Sequence, residues 1–373
     1  MDVNIKLPLL GGLSPATFMK RHWQKLPLLV RQAWPGVTPP LPRPALFALA
    51  GHEDVESRLV VRTGDRWRVR QGPLPRSALP PQRQAAWTLL VQGLDLHVDA
   101  AHEMLQRFRF VPDARLDDLM VSWASTGGGV GPHLDSYDVF LLQVQGRRRW
   151  RVGRVDDAAW VPDAPLKLLR HFKAEEDWVL EPGDMLYLPP NWGHDGVAVG
   201  GDCMTCSVGF RAPRSDDLAR DLLQRLAEEE GLSSSLFRDA RQPATVAPGA
   251  VPPALLAFAQ KAVDKRLAEP RWLARALGEV LTEPKPQVWF QGPRRGRPGD
   301  AVRLHARTKM LHDERHIFIN GEAFDAGGRD ARLMRRLADD RWLSAADVAR
   351  LSPPARELLD EWLASGWARG ADE

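Results

Sequence analysis

The chain has 373 residues, which exceeds what one hydrophobic core commonly supports, so we expect two or three domains. Hydrophobic residues make up 44% of the chain and charged residues 27%, proportions typical of a folded globular protein rather than a disordered one. The formal net charge is +3, because the many basic residues are almost balanced by acidic ones. The charge therefore gives no reason to expect binding to nucleic acid.

The only cysteines are Cys203 and Cys206, which argues against a disulfide framework and favours a reducing compartment. A structural zinc site needs four ligands, and the sequence has no second cysteine pair to supply them. The sequence contains no stretch with the pattern of a signal peptide or of a membrane-spanning helix. We therefore expect a cytoplasmic protein that does not bind a membrane.

The predicted elements begin with a helix capped by Ser14 and a short apolar strand at Leu28 to Val30. Residues 84–97 carry apolar side chains at helical spacing, which predicts a second helix that braces a sheet. Between residues 116 and 212 the hydrophobic period changes to two. Short strands with Gly and Pro turns are predicted there in LDDLMVSW, DVFLLQVQ, RRRWRV, DWVLEPGDMLYLPP and MTCSVGF. This all-β block predicts a small barrel or jelly roll.

After Pro213 the composition becomes helical, and the first helix has one apolar face of leucines. Two more helices are predicted over residues 254–269 and 271–281, after a connection at 241–253 that is rich in Pro, Gly and Ala. Glu-Pro-Lys-Pro at 283–286 indicates a domain boundary. The apolar helical face predicts self-association of the chain, although it could instead pack within one subunit.

The last part of the chain predicts a small α+β domain of winged-helix size. HIFINGEAF contains an Asn-Gly turn between two apolar runs, which predicts a hairpin. Helices are predicted over residues 330–340 and 344–366. We therefore divide the chain into residues 1–213, 214–284 and 285–373.

The segment GGGVGPHLDSYDVF carries the first chemical signal. His133 and Asp135 lie two apart in a strand-like pattern, so both side chains leave the same face, and Tyr137 joins them. An imidazole and a carboxylate, completed by a distant histidine, form the facial triad that binds non-haem Fe(II) and leaves positions open for a chelating cosubstrate and dioxygen. His194 in PPNWGHDG, beyond the strand Met185 to Leu188, is the predicted third ligand.

His-x-Asp alone is a weak signal, because the chain contains a second copy at His97-Val98-Asp99. That copy lies beside a helical run, without a Gly-rich turn before it or an alternating strand after it, so we interpret it as packing and surface. A single histidine such as His133 is more often a hydrogen-bonded core residue than a ligand. The surrounding motifs reverse this balance.

The first of these motifs is RRRWRV. Alternation places Arg148 with Trp150 and Val152 on the apolar face of the strand, opposite Arg147, Arg149 and Arg151. A buried guanidinium needs an anion, and a carboxylate that accepts two hydrogen bonds is its natural partner. The far carboxylate of 2-oxoglutarate would supply that anion. The alternative is an internal salt bridge to an acid of the protein.

Two further motifs support a barrel site. Glu181-Pro182-Gly183-Asp184 predicts a tight turn into the strand that precedes His194. In DDLMVSWAS, Asp118, Met120 and Ser122 share one face; if it is the inner face, Ser122 offers a hydroxyl to the cosubstrate and Asp118 a carboxylate to a cationic substrate side chain. Either residue could instead be exposed or make a local turn bond.

Together these motifs resemble the bacterial ribosomal oxygenases, a JmjC branch of the 2-oxoglutarate oxygenases. The resemblance rests on GGGVGPHLDSYDVF, GRRRWRVG, LEPGDMLYLPP with His194, and SVGFRAP, with HWQKLPLLVR and DDLM before them. These motifs span residues 18–213 in the order of the family, whereas the last third matches mainly by layout. The resemblance implies an α+β chain with a JmjC double-stranded β-helix (a cupin-like jelly roll), a helical dimerisation region and a C-terminal winged-helix-like domain.

The resemblance implies that His133, Asp135 and His194 bind Fe(II) and that Arg148 binds 2-oxoglutarate, with Ser122 as a helper and Ser207 as a weaker candidate. It implies a 2-oxoglutarate-dependent dioxygenase that hydroxylates the β-carbon of an arginine in large-subunit ribosomal protein sixteen. Asp118, Met120 and Tyr137 suit the substrate arginine, because a carboxylate can pair with its guanidinium and an aromatic ring can stack on it.

Two other functions fit parts of the sequence. A non-catalytic cupin-like protein that binds a metal or ligand would keep the barrel, but it would not need an inward Arg148. A winged-helix regulator with a barrel sensor would bind DNA through a basic helix. The helix RLMRRLADDR in the last domain contains acids beside its arginines, so it lacks a strongly basic face. We therefore expect an interaction module without DNA binding, and a homodimer.

Overall fold

The computed structural model describes residues 2–228, 235–240, 243–244, 248–268, 270–290 and 301–371. The chain forms two compact units: Met1–Ala212 with Pro286–Trp289, and Pro213–Lys285 with Phe290–Glu373. The separation of 214–284 from 285–373 stays a prediction. Residues 241–242 and 245–247 of the predicted connection lie outside the described part.

The first unit is built on one antiparallel sheet. Its strands are β1 (Leu28–Val30), β2 (Ser57–Thr63), β3 (Arg66–Gln71), β4 (Trp87–Val91), β5 (Leu116–Ala124), β6 (Asp138–Arg154), β7 (Glu176–Leu180), β8 (Met185–Leu188) and β9 (Trp192–Phe210). They are ordered β1-β8-β6-β9-β5-β4-β2-β3, and β7 pairs with β6. This is the double-stranded β-helix that the sequence predicts, with three N-terminal strands (β2 to β4) added beside β5.

Three helices cover the outer face of this sheet. They are α1 (Pro15–Arg21), α2 (Arg43–Leu49) and α3 (Asp99–Gln106). The predicted cap of α1 is confirmed, because the Ser14 side chain accepts a hydrogen bond from the Thr17 N–H. Phe18 of α1 is fully buried and packs edge-on against Tyr187 of β8, with ring centroids 4.9 Å apart. The helices therefore brace the outer surface and leave the inner face of the sheet to the site.

The helix predicted over residues 84–97 is wrong. The structure has the strand β4 there, followed by a single 3-10 turn at Leu94–Leu96. Every residue of β4 is buried, because Trp87 and Leu89 pack in the main core while Thr88 and Leu90 line an internal cavity. A strand buried on both faces has no polar alternation, so its apolar residues can coincide with helical spacing.

The longest strands, β6 and β9, form the centre of the barrel. The segments DVFLLQVQ and RRRWRV, predicted as separate strands, are the two halves of β6, and its pairing with β9 shifts register at Gln143, Gln145 and Arg147. The shift changes which residues face inward. Val139 and Leu141 point into the inner core before it, and Trp150 and Val152 do so after it.

Buried polar groups hold this irregularity in place. The Gln143 side-chain amide donates to the carbonyls of Gln145 at 2.8 Å and of Gly146 at 3.3 Å, while its oxygen accepts from the Thr205 hydroxyl at 2.8 Å. The backbone groups freed by the bulge thus gain partners. Both cysteines are buried nearby as free thiols, and burial raises the pKa of Cys206 to about 12, so it is an inert core thiol.

The second unit begins with helices and continues as a mixed α+β region. Its elements are α4 (Ser215–Glu228), α5 (Pro253–Leu267), α6 (Pro270–Thr282), β10 (Ala301–Leu304), β11 (Met310–His312), β12 (His316–Ile319), β13 (Glu322–Asp325), α7 (Gly328–Asp340), β14 (Trp342–Leu343), α8 (Ala345–Val348), α9 (Pro353–Ala364) and β15 (Ala368–Ala371). The predicted Asn-Gly hairpin is confirmed, because Ile319 pairs with Glu322 across Asn320 and Gly321, both at positive φ.

The single helix predicted over residues 344–366 is wrong, because α8 and α9 are separate. Pro353 and Pro354 cannot continue a helix from Val348, but Pro at the first position is a good start for a new one. The core of this region includes Leu337 of α7 and Trp362 of α9, both almost fully buried. None of the described helices is long and apolar enough to cross a membrane.

We predict that Tyr187→Phe lowers the free energy of unfolding by about 1–3 kcal/mol. The Tyr187 hydroxyl donates to Asp138 at 2.6 Å, and Asp138 is fully buried, so its carboxylate would lose a donor without gaining water. Urea unfolding followed by tryptophan fluorescence measures the change. The matched control is Tyr137→Phe, since Tyr137 is 39% exposed. Equal losses in the two variants would contradict the assignment.

Candidate active site

The inner face of the barrel encloses a cavity of about 510 Å³. Strands β2, β4, β5, β6 and β9 form its walls, and the segment before β6 and a loop between β6 and β7 form its rim. The cavity is lined by Arg58, Thr88, Leu90, Gln92, Asp117, Asp118, Met120, Ser122, Val130, His133, Leu134, Asp135, Tyr137, Val139, Leu141, Arg148, Trp150, Pro165, Leu166, Lys167, His194, Ser207 and Gly209. Each predicted site residue is therefore in this one cavity.

His133 and His194 lie directly opposite each other across a β-bridge. The N–H of each residue donates to the carbonyl of the other at 3.0 Å, which is the two-way exchange of an antiparallel hydrogen-bonded pair. Their ring centroids are 4.2 Å apart. The backbone of the barrel thus holds two imidazoles side by side although 60 residues separate them in the chain.

Both imidazoles have the same orientation relative to the backbone. The Nδ1 atom of His133 lies 2.8 Å from the Gly131 carbonyl, and that of His194 lies 3.1 Å from the Trp192 carbonyl. A carbonyl only accepts, so each Nδ1 carries the proton and each Nε2 keeps a lone pair for a metal. Burial, followed by the nearby His133, lowers the pKa of His194 to about 4, so its ring is neutral at neutral pH.

Asp135 completes the group. Its carboxylate oxygens lie 3.9 Å from Nε2 of His133 and 3.5 Å from Nε2 of His194. The possible ligand atoms of the three residues all lie within 4.8 Å of one another, which is the spacing a single metal ion requires. The strand geometry predicted for His133 to Tyr137 is wrong, because only His133 makes a bridge and β6 begins at Asp138. His194 follows the strand Met185–Leu188, as predicted, and lies near the start of β9.

The Gly-rich turn before His133 is needed for close backbone packing. A Cβ on Gly129 would lie 2.5 Å from the Gly196 carbonyl oxygen of β9. Gly131 has φ +78°, and a Cβ there would lie 2.6 Å from the Leu168 side chain and 3.0 Å from the Trp67 ring. A larger residue at position 129 would push the turn away from β9, and one at position 131 would be strained and would meet Leu168 and Trp67. Either change would displace His133.

Arg148 is buried on the inner face of β6, as alternation predicts. Its Nε and Nη2 atoms have no hydrogen-bond partner, and no Asp or Glu among the described residues forms an ion pair with it. The alternative of an internal salt bridge therefore has no support in the described part of the chain. A buried guanidinium left without an acceptor costs about 3–5 kcal/mol, which indicates a site for an anion.

Trp150 lies between Arg148 and the metal-ligand group. Its ring centroid is 5.8 Å from the Arg148 guanidinium carbon and 5.8 Å from the His194 ring. The Trp150 Nε1 atom is also buried without a partner. Gly196 on β9 makes room for this ring, because a Cβ there would lie 2.5 Å from it. The sequence placed Trp150 on the same face as Arg148 but did not identify it as part of the site.

Ser122, Met120 and Ser207 line the floor of the cavity. Ser207 of β9 pairs with Met120 of β5 on one side and with Leu141 of β6 on the other. Ser122 pairs with Leu90 of β4. Paired residues in antiparallel strands share a face, so both hydroxyls lie on the inner face of the sheet. Both are buried, at 5% exposure for Ser122 and 7% for Ser207.

Asp118 and Tyr137 both lie beside Gly209, further along the same pair of strands, β5 and β9. A Cβ on Gly209 would lie 3.6 Å from Asp118 Oδ1 and 3.8 Å from Tyr137 Cε2, so both side chains lie beside the same glycine of β9. The other oxygen of Asp118 accepts a hydrogen bond from the Gly93 N–H at 2.7 Å. Loss of water around the hydroxyl of this partly exposed side chain, followed by the carboxylates of Asp135 and Asp118, raises the pKa of Tyr137 well above its usual value.

Sequence reasoning missed several lining residues. Gln92 lies in the segment 84–97 that was predicted as a helix, and Arg58 lies in β2, for which no element was predicted. Lys167 and Pro165 belong to the loop between β6 and β7, which has no regular pattern. The sequence offers one clue for Arg58, which is its alternation with Val60 in SRLVVRT. In the structure both residues lie on the inner face of β2, and Arg58 pairs with Leu90.

Comparison with known proteins agrees with this geometry. Residues 103–218 match the family model of the JmjC domain, and residues 265–369 match that of the ROXA-like winged helix. The chain is 31% identical to the ribosomal protein uL16 3-hydroxylase of Escherichia coli over 84% of this chain and 86% of that protein. The chain belongs to the ribosomal oxygenase family.

Other members of this family extend the match to nearly the whole chain. A probable ribosomal oxygenase of Haemophilus influenzae is 28% identical over 95% of this chain and 96% of that protein. An X-ray structure of E. coli YcfD aligns with a TM-score of 0.82 and 30% identity, covering 95% of this chain and 97% of YcfD. A YcfD complex with cobalt and 2-oxoglutarate aligns with a TM-score of 0.79 and 29% identity over 95% and 97% of the two chains.

We predict that His133→Ala weakens binding of Co(II) at least about 100-fold, because loss of a direct ligand should exceed the 10- to 100-fold loss seen for outer partners. Titration of the purified protein with Co(II), followed by visible absorption, measures the affinity. His97→Ala is the matched control, since His97 belongs to the other His-x-Asp pair and is outside the ligand group. Equal affinities for the two variants would contradict the assignment of His133.

Proposed function

We propose that this ribosomal oxygenase is an Fe(II)- and 2-oxoglutarate-dependent dioxygenase that hydroxylates the β-carbon of an arginine in ribosomal protein uL16. The observation that carries the proposal is the buried Arg148, whose Nε and Nη2 have no acceptor, in the same cavity as His133, Asp135 and His194. The E. coli relative is named as a uL16 3-hydroxylase, which supports the choice of substrate.

The donor set fits iron. Two neutral imidazoles and one carboxylate are the ligands of non-haem Fe(II) oxygenases, and such a triad leaves coordination positions for a cosubstrate and dioxygen. His133, Asp135 and His194 would hold the ion. With 2-oxoglutarate and dioxygen, Fe(II) supplies the chemistry that inserts one oxygen atom into a C–H bond and releases succinate and carbon dioxide.

Arg148 would bind the far carboxylate of 2-oxoglutarate. Its unpartnered N–H groups suit a carboxylate in a buried place where water cannot satisfy them. The Nε1–H of Trp150 is a further buried donor in the same cavity, and we place the Ser122 hydroxyl beside it as a helper. Ser207 stays a weaker candidate for the same role. These donors orient the cosubstrate and exclude water from it.

Asp118, Met120 and Tyr137 would receive the substrate arginine. The charges near the Tyr137 hydroxyl favour a cation: besides burial, three carboxylates (Asp135, Asp118 and Asp117) raise its pKa, while Arg58 lowers it. A guanidinium could donate to Asp118 and stack against the Tyr137 ring. Both side chains lie beside Gly209, so one guanidinium could reach both of them.

The non-catalytic cupin-like protein remains the rival. It would keep the barrel and the metal group, but it gives no reason to bury Arg148 without an acceptor. The DNA-binding regulator has less support. Arg336 of α7 pairs with Asp340 and Asp347, so its charge is offset within the unit. We therefore propose that the winged-helix-like domain does not bind DNA, and that the protein acts in the cytoplasm, away from membranes.

We further propose that the protein is a homodimer formed through α4, α5 and α6. Several large apolar side chains on these helices are exposed, which is unusual for a surface that stays in water. They are Leu223 (51% exposed), Leu256 (65%), Val263 (52%) and Leu273 (52%). A second copy of the chain would bury them, because such faces are self-complementary in symmetric dimers.

The first test is turnover. We expect the purified protein to convert 2-oxoglutarate to succinate with Fe(II) and uL16, and mass spectrometry to find one added oxygen on the β-carbon of an arginine. Arg148→Ala should raise the KM for 2-oxoglutarate at least about 30-fold, because a buried charge-assisted contact would be lost.

The matched control for this variant is Arg149→Ala. Arg149 is the next residue of β6, but it is exposed and paired with Asp177. It should leave the KM for 2-oxoglutarate unchanged. If metal-dependent binding of 2-oxoglutarate is the same in both variants, and no turnover is found with uL16, the cupin-like binding protein is the better description.

We predict that Leu256→Asp converts a dimer into monomers, because it places a carboxylate in the proposed apolar interface. Size-exclusion chromatography with light scattering measures the molar mass. The control is Ile5→Asp, which changes a comparably exposed apolar residue (58%) in the first unit. A wild-type protein that elutes as a monomer would rule out the dimer.

A further inference from the structure

A second groove adjoins the mouth of the active-site cavity. It lies between the β2–β3 hairpin and the loop that joins β6 to β7, and its volume is about 630 Å³. We call it the side groove and define it by Trp67 and Leu168 at its floor and Val161 and Pro165 at its wall. Pro165 also lines the active-site cavity, so the two spaces meet at this residue.

We propose that the side groove is a second subsite for the substrate polypeptide and that it takes an apolar side chain close to the hydroxylated arginine. This inference rests on the proposed function. It adds a requirement that the active-site cavity does not impose, because the groove would select among arginines by their neighbours in the sequence.

The composition of the groove fits an apolar side chain. Trp67 offers a ring, and proline and aliphatic side chains surround it. The charges at the rim are balanced, with Asp65 and Asp163 against Arg66 and Arg68, so they select neither an acid nor a base. Trp160 and Val161 beside the groove are 40% and 38% exposed. Such rigid apolar surface is typical of places that anchor a partner chain.

Continuity with the cavity identifies the occupant as the substrate. Leu166 and Lys167 face the cavity, while Leu168 of the same loop faces the groove. When the arginine side chain of a polypeptide enters the cavity, the polypeptide backbone must cross the rim of the cavity. This loop forms part of that rim. An extended chain advances about 3.3 Å per residue, so a residue only a few positions away reaches the groove.

The groove is also joined to the segment that carries a metal ligand. The N–H of Leu169 donates to the Pro132 carbonyl at 2.9 Å, one residue before His133. The Gly131 position packs directly against Leu168 and Trp67. A side chain bound in the groove would therefore contact the same turn that positions His133. This shared turn would keep the distance between the subsite and the metal ligands constant.

The test compares two exposed valines. Val161→Asp places a carboxylate in the groove wall, and Val179→Asp is the matched control, because Val179 is 37% exposed on β7 and outside the groove. With a uL16 fragment, Val161→Asp should raise the KM for the fragment about tenfold, the equivalent of losing one buried apolar side chain, and leave the KM for 2-oxoglutarate unchanged. Val161→Thr should have a smaller effect in the same direction.

A second set of fragments identifies the occupant. Each apolar residue near the arginine is replaced by serine in turn, and one of these changes should raise the KM for wild-type protein about tenfold but have no further effect on Val161→Asp. Additive effects at every position, or equal KM values for Val161→Asp and Val179→Asp, would overturn the subsite while leaving the hydroxylase intact. Failure of the wild-type protein to hydroxylate any fragment or whole uL16 would instead overturn the proposed function itself.

Discussion

The pairing of β6 with β9 determines where the candidate site lies. The strands contact each other along almost their whole length, and β9 places His194 opposite His133 while the second half of β6 places Arg148 and Trp150 on the inner face. The register shift near Gln143 is essential to this arrangement. Without it, strict alternation from Val139 and Leu141 would turn Arg148 outward, because one residue of slip moves every side chain to the other face. The buried hydrogen bonds of Gln143 to Thr205 and to the bulge carbonyls stabilise this register shift. They therefore also keep Arg148 on the inner face.

The sequence predicted which residues the structure brings together better than it predicted the backbone that carries them. His133, Asp135, His194 and Arg148 were found because metal ligands and buried cations are chemically rare and leave a local pattern. The strand predicted through Asp135 was wrong, since the turn at Gly127 to Gly131 and the bridge at His133, not a regular strand, hold the ligands. Local pattern also misled at β4, where burial on both faces removes the alternation that marks a strand. Such burial follows from tertiary packing and cannot be read from a short segment.

Two features of Arg148 separate an oxygenase from a cupin-like binding protein. A structural cation in a barrel would be expected to have a carboxylate partner, because the cost of burying it alone is several kcal/mol. Arg148 has instead Trp150 beside it, and the Nε1 of that residue is also without an acceptor. Three unpartnered N–H positions (Arg148 Nε and Nη2, Trp150 Nε1) in one part of the cavity point to a ligand with at least one carboxylate. A metal group alone would not explain them.

All the residues that line the active-site cavity lie between Arg58 and Gly209, within the first unit. Among the residues that the structure describes, those of α4 to α6 and of the winged-helix-like region do not line that cavity. These helices expose apolar side chains, and residues 265–369 match the ROXA-like winged helix, so the second unit offers surface for a partner rather than groups for the bond chemistry. Substitutions in the second unit should then change assembly or the handling of a large substrate, while a small cosubstrate such as 2-oxoglutarate binds as before. The strands β2 and β3, which precede the double-stranded β-helix, bring Arg58 to the cavity and Trp67 to the side groove. The proposed subsite for a protein substrate therefore depends on a part of the chain outside that β-helix.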